Sequence, residues 1–271
     1  MFSRYFSLIL LVTLVLCMGM SAQAQNPVVV YPDVSPILSH YKPQEISNFI
    51  AEPVTPLARQ IRSNVFVTSV LIIPFLIIPQ ILLLICIFKF RKTNDGREPA
   101  KFHENLPLEV FWTIVPAIVL ILMAVPTYKL IRSYDNPPPA DEVITIYGYR
   151  FGWIYEYHQH NGMKTSNNEA LVIPAGKTIV ANITSNDVNH AWWVPAFGVK
   201  MDAVAGRTNQ VWFNVEKPGW YKGQCAEICG ASHYKMLIDV IVCTPEEFDA
   251  WIAEKQSENP PAPVKVVANT Q

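Results

Sequence analysis

The pattern of apolar and polar positions divides the chain into three apolar blocks followed by a stretch of quite different character. The first block, Leu8 to Cys17, has Arg4 before it and Ala22-Gln23-Ala24 after it. A short positive region, an apolar run and small residues in that order describe a secretory signal peptide over 1–24; a retained signal anchor is the alternative. The second block, Val65 to Phe88, contains no charge, and the third runs from Val110 to Tyr128. Each reaches the roughly 20 residues that a helix needs to cross a bilayer. Pro74 and Pro79 predict a bend in the first span, with neighbouring helices satisfying the backbone groups they free. Lys89, Arg91, Lys92, Arg97 and Lys101 lie between the spans. The excess of positive charge assigns loop 89–107 to the cytoplasm, so both ends of the mature chain are exported.

From Asp141 the pattern shifts to short runs of β-branched and aromatic residues. Val143 to Tyr157 predicts one long strand or two, and Asn161-Gly162 is a hairpin signal. Further strands are expected at Ala170–Ile173, Thr178–Ile183, Gln210–Val215 and Met236–Val242. Pro174, Gly176, Pro195, Gly206, Pro218 and Gly219 punctuate these runs. Strands spaced in this way predict an antiparallel sandwich or barrel. Thr244, Pro245 and Glu247 then form a capping box that starts a helix. The expected organisation is an exported segment 25–62, a transmembrane hairpin 63–132 with helices at 65–88 and 110–130, and a stiff proline linker 133–140 lifting the domain off the membrane. A folded domain 141–257 and a disordered tail 258–271 follow.

Composition narrows the function. The residues are 51% hydrophobic and 16% charged, with a net charge of −1, so nothing global favours nucleic acid. There is no Cys-x-x-Cys-His haem attachment run, no glycine-rich nucleotide motif and no hydrolase triad. Of five cysteines, Cys17 leaves with the signal peptide, Cys86 lies in the first span, and Cys243 ends a strand as a small buried apolar residue. Cys225 and Cys229 remain, in the run Gly223-Gln-Cys-Ala-Glu-Ile-Cys-Gly-Ala-Ser-His-Tyr-Lys-Met236.

His190, Cys229, His233 and Met236 alone are the donor set of a blue-copper site. One loop supplies three of them, and the fourth comes from an earlier loop, Asp187 to Trp193. Cys225 adds a second thiolate, which permits two sulfurs to bridge two coppers. Each metal then takes one histidine and one weak ligand, Met236 or a carbonyl near Glu227. Three plainer readings stand beside this: a Cys225–Cys229 disulfide, a structural zinc site, which gives no reason for Met236, and ordinary polar histidines.

The run Cys225 to Met236, with Asp187-Val-Asn-His190-Ala-Trp upstream, resembles the dinuclear copper (CuA) motif of cytochrome c oxidase subunit II. The resemblance covers nearly all the mature chain and implies a cupredoxin-like Greek-key sandwich or barrel behind a two-helix membrane hairpin. It implies copper ligands at His190, Cys225, Glu227 through its carbonyl oxygen, Cys229, His233 and Met236, and a magnesium ion on the Glu227 carboxylate at the interface with subunit I. Two copper ions would take electrons from cytochrome c and pass them to haem in subunit I, where oxygen is reduced to water and protons are pumped; this chain is not catalytic alone. The implied location is the bacterial inner membrane with the copper domain on the periplasmic face, beside subunit I and subunit III.

Glu109 matches an acid at the mouth of a proton path, or is simply a favourable charge at a helix N-terminus. Glu156 and Asp187 match acids that attract cytochrome c, or are solvated charges. The family segment Gly-His-Gln-Trp-Tyr-Trp is here Gly148-Tyr-Arg-Phe151-Gly-Trp153, so Phe151 stands where the electron-receiving Trp is expected and Trp153 matches the second. Three other classes compete. Quinol oxidase subunits of this fold lack the copper ligands, nitrous oxide reductase has no membrane spans, and copper chaperones use exposed, exchangeable sites.

Overall fold

A computed structural model describes residues 34–43, 51–91, 101 and 103–258. The expected signal peptide, part of the positive loop (Lys92 and Arg97) and residues 259–271 of the tail lie outside the described residues.

Two long helices carry the apolar blocks. Helix α1 is Pro56–Lys89 and helix α2 is Leu106–Tyr134. Thr55 caps α1, its Oγ1 accepting from Ala58 N at 3.0 Å, and Asn105 caps α2, its Oδ1 accepting from Leu108 N at 3.2 Å. Both are long and apolar enough to cross a membrane. The apolar stretches of both helices are exposed along their length, which suits lipid as solvent. Helix α1 continues through Pro74 and Pro79, and α2 through Pro116 and Pro126.

The helices exceed the expected spans. At about 1.5 Å per residue, α1 alone is roughly 50 Å long, against a hydrocarbon core of about 30 Å. The extra turns meet the folded domain. Val54 N donates to Ala196 O at 3.1 Å, and Thr55 Oγ1 donates to Phe197 O at 2.8 Å. At the end of α2, Tyr134 stacks on Trp212 with centroids 5.6 Å apart, and Trp212 Nε1 donates to Tyr134 O at 3.2 Å. The expected linker is therefore shorter, since Ser133 and Tyr134 are helical, and the domain rests on the helix ends instead of being lifted from them.

The domain is two five-stranded sheets. The first holds β1 (Glu142–Tyr149), β2 (Gly152–Tyr157), β3 (Met163–Lys164), β5 (Thr178–Ser185) and β8 (Asn209–Asn214), in the order β3-β2-β1-β5-β8. The second holds β4 (Leu171–Pro174), β6 (His190–Val194), β7 (Val199–Ala203), β9 (Gly219–Cys225) and β10 (Leu237–Cys243), in the order β4-β10-β9-β6-β7. Val143 to Tyr157 is two strands, and Asn161 and Gly162, both with positive φ, turn β2 into β3.

The sandwich is not wholly antiparallel, because β1 pairs with β5 and β10 with β4 in parallel. Parallel neighbours need long crossovers, and whole strands lie between each pair in sequence. The two faces meet in an aromatic core of Trp153, Tyr155, Tyr157, Trp192, Phe197, Phe213 and Tyr221, all buried. Helix α3 (Pro245–Glu258) closes one side with Phe248, Trp251 and Ile252. Its capping box forms as expected: Thr244 N donates to Glu247 Oε2 at 2.9 Å and Glu247 N to Thr244 Oγ1 at 3.3 Å. Glu258, expected to open the tail, is the last residue of this helix.

Candidate metal centre

The register of the second sheet assembles the site. Trp192 of β6 pairs with Cys225, the last residue of β9. This brings His190, the first residue of β6 and wholly buried, beside that cysteine. His190 therefore comes from a strand end, not from the loop expected over 187–193. Beyond Cys225 the chain loops through Cys229, makes a 3-10 turn over His233–Lys235 and returns at Met236. Cys225 N donates to Met236 O at 2.9 Å, and His233 N donates to Gly230 O at 3.1 Å, so the loop is closed by its own backbone.

All six sequence-predicted donors converge. Cys225 Sγ lies 3.9 Å from His190 Nδ1, 3.9 Å from Cys229 Sγ and 3.3 Å from the Glu227 carbonyl oxygen. Cys229 Sγ lies 3.5 Å from His233 Nδ1 and 3.9 Å from Met236 Sδ. Each sulfur thus faces one imidazole and one weaker donor. The cysteines are free and, with Met236, buried. Burial, together with the neighbouring Cys225, pushes the Cys229 thiol up to about 11. A bound cation would be needed to hold the Cys229 sulfur as a thiolate near neutral pH. Two sulfurs, two imidazoles and a thioether form a soft donor set that fits copper.

The surroundings orient the buried imidazole. His190 Nε2 lies 2.8 Å from Asp187 Oδ1. An ionised carboxylate only accepts, so Nε2 carries the proton and Nδ1 offers its lone pair toward Cys225. Burial opposes charge on Asp187, yet hydrogen bonds from His190, from Arg150 N and from Val188 N hold its carboxyl well below the usual carboxylate range. A Cβ on Gly148 would come within 3.1 Å of His190 Cδ2 and 3.2 Å of Trp153 Cζ3, so a side chain there would press on both rings. Trp153 meets the same ring edge-on at 6.0 Å.

Comparison with known proteins agrees. The family profile "Cytochrome C oxidase subunit II, periplasmic domain" matches residues 159–243, and "Cytochrome C oxidase subunit II, transmembrane domain" matches residues 45–130. A probable cytochrome c oxidase subunit 2 of Rickettsia bellii is 37% identical over 198 residues, which are 66% of this chain and 73% of that protein. Cytochrome c oxidase subunit 2 of Cereibacter sphaeroides is 31% identical over 248 residues, 79% of this chain and 82% of its own. The chain belongs to the cytochrome c oxidase subunit II family. It is a membrane protein, as the transmembrane-domain match and its two apolar helices require. A crystal structure of the periplasmic domain of this subunit from Bradyrhizobium japonicum is similar over 45% of this chain and 99% of its own, at 33% identity and a TM-score of 0.44.

The other residues that the subunit II resemblance singled out are spread over the molecule. Phe151 sits in the β1–β2 turn against the metal loop, where a Cβ on Gly230 would meet its Cζ at 3.1 Å. Glu109 is in the first turn of α2, and its carboxylate accepts from Asn105 N at 3.3 Å. Glu156 is engaged by Tyr147 Oη at 2.7 Å and Lys164 Nζ at 3.5 Å. Asp187 is engaged by Arg150 and His190. Neither acid is a free surface charge. Arg150 was not foreseeable as a neighbour of the site, because it lies 37 residues from Asp187; the Asp187-x-x-His190 spacing was the only sequence hint of this network. Two exposed apolar side chains on the metal loop, Ile228 at 84% and Tyr234 at 70%, were also missed.

Proposed function

We propose that this chain is the electron-receiving subunit of a cytochrome c oxidase, with a dinuclear copper centre in its exported domain. The observation that carries this reading is the pair of free, buried sulfurs of Cys225 and Cys229, each facing its own histidine, His190 or His233. Cys225, Cys229, His190 and His233 would hold the metals, with Met236 and the Glu227 carbonyl as weaker ligands. Two coppers held there would take up and release one electron at a time. The chain's own part is to keep those donors in place in both redox states. The ligands come from two strand ends and a loop closed on itself, which limits their movement.

Cytochrome c is the donor in this reading, received near Phe151 and Trp153, and haem in subunit I is the acceptor. The exposed Ile228 and Tyr234 support a partner subunit seated over the metal loop, with the Glu227 carboxylate available to a magnesium ion there. Subunit III completes the assembly. The positive loop between the spans supports a cytoplasmic side for that loop and, in a bacterial inner membrane, a periplasmic copper domain. Glu109 then stands on the side from which protons enter. Structural zinc is disfavoured because it leaves the buried thioether of Met236 without a role.

The test is copper loading of the full chain in detergent, followed by metal analysis and electron paramagnetic resonance. Two coppers per chain sharing one unpaired electron is the expected result. A Cys225–Cys229 disulfide that binds no metal, or a single loosely held cuprous ion, would overturn it.

A further inference from the structure

The site has a connection to the surface. Arg150 lies in the turn between β1 and β2 and reaches Asp187 twice: its backbone N at 2.8 Å and its Nε at 3.3 Å, both to Oδ2. The other carboxylate oxygen, Oδ1, takes Val188 N at 2.6 Å and His190 Nε2 at 2.8 Å. An arginine whose side chain is 51% exposed is thus one carboxylate away from a wholly buried imidazole.

We infer that Arg150 is a positioning residue that sets, through Asp187, how strongly His190 donates to the metal, and so tunes the reduction potential of the centre. The inference rests on the copper reading above. A carboxylate on the distal N–H of a ligand imidazole raises the basicity of the ring. Added electron density favours the more positive, oxidised state of a metal pair and lowers its potential. The guanidinium shares that carboxylate and draws part of its charge away, which raises the potential. Solvent screens the half-exposed cation and limits the effect without abolishing it. The Arg150 backbone N–H stays on Asp187 whatever side chain follows, so a change of side chain alters charge while the turn keeps its hold.

The test is potentiometry of the copper-loaded full chain, with the resonance spectrum recorded alongside. Arg150→Gln lowers the potential, so that at a fixed solution poise the oxidised-to-reduced ratio rises about tenfold, or 59 mV for one electron. Arg150→Lys restores the charge and stays within about twofold of the parent ratio. Asp187→Asn moves the opposite way, because it removes the negative charge beside His190. An Arg150→Gln protein with two coppers and an unmoved potential would overturn the inference, as would a Lys variant displaced as far as the Gln variant. A parent chain that binds no copper pair would instead bring down the proposed function, and this inference with it.

Discussion

The sulfurs of Cys225 and Cys229 stand 3.9 Å apart, unbonded, with His190 Nδ1 at 3.9 Å from the first and His233 Nδ1 at 3.5 Å from the second. The near-equal surroundings of the two sulfurs distinguish this arrangement from a mononuclear blue-copper site, which uses a single cysteine. They also separate the roles of the thiolates from that of the thioether.

On the proposed copper reading, Cys229→Ser removes one of the two thiolates that would hold the metals, and copper content falls from two per chain to one or none. Met236→Leu deletes only a weak ligand. Copper stays at two per chain and the potential changes. Metal analysis of both purified variants checks the ranking, and full retention of copper in the Cys229 variant would contradict it.

Phe151 packs against Gly230 of the metal loop and keeps an aromatic ring where the family pattern has an indole. Phe151→Trp is expected to speed electron uptake from cytochrome c, as an increased bimolecular rate in stopped flow. An unchanged or slower rate would count against a role for this position.

The Tyr157 hydroxyl, wholly buried, both donates to Val172 O and accepts from Val172 N, each at 2.9 Å. Tyr157→Phe leaves two backbone groups of β4 without that partner, which costs roughly 1–3 kcal/mol. Chemical denaturation of the full chain would register the loss, and an unchanged midpoint would argue that water replaces the hydroxyl.

Burial alone would raise the Glu247 carboxyl, but bonds from Thr244 and Tyr41 hold it below its usual range. A carboxyl depressed on folding contributes stability that is complete above its unfolded pKa, and this is lost as pH falls through the folded value. Unfolding followed in mildly acid buffer should show this loss, and Glu247→Gln should flatten that part of the profile. Parallel acid limbs in the two proteins would exclude Glu247 as their source.

The legible features of this chain were those whose chemistry is local. The capping box at Thr244 and Glu247, the apolar blocks within α1 and α2, and the donors between Cys225 and Met236 each lie within one short or continuous run. Features that depend on distant partners were hidden. Strand β6 reads His-Ala-Trp-Trp-Val, with four of its five residues buried and no alternation to betray it. Strand β9 opens at Gly219, which with Pro218 reads as a turn signal. Strand β7 carries Lys200 and Asp202, whose exposure suits its place at the sheet edge. The parallel pairing of β1 with β5 has no signature within either strand. Arg150 and Asp187 meet only because β1 and β5 are neighbours, so no spacing rule could join them.

The seating of Trp212 on Tyr134, and of Val54 and Thr55 on the segment around Ala196, has a mechanical consequence. A domain swinging on a proline leash would relay electrons at the pace of its own diffusion and visit many separations from its acceptor. One clamped to two helix tips keeps a constant gap, so the transfer rate becomes a matter of tunnelling distance and driving force. Loosening that seat, without touching a single ligand, should turn one sharp rate into a spread of rates.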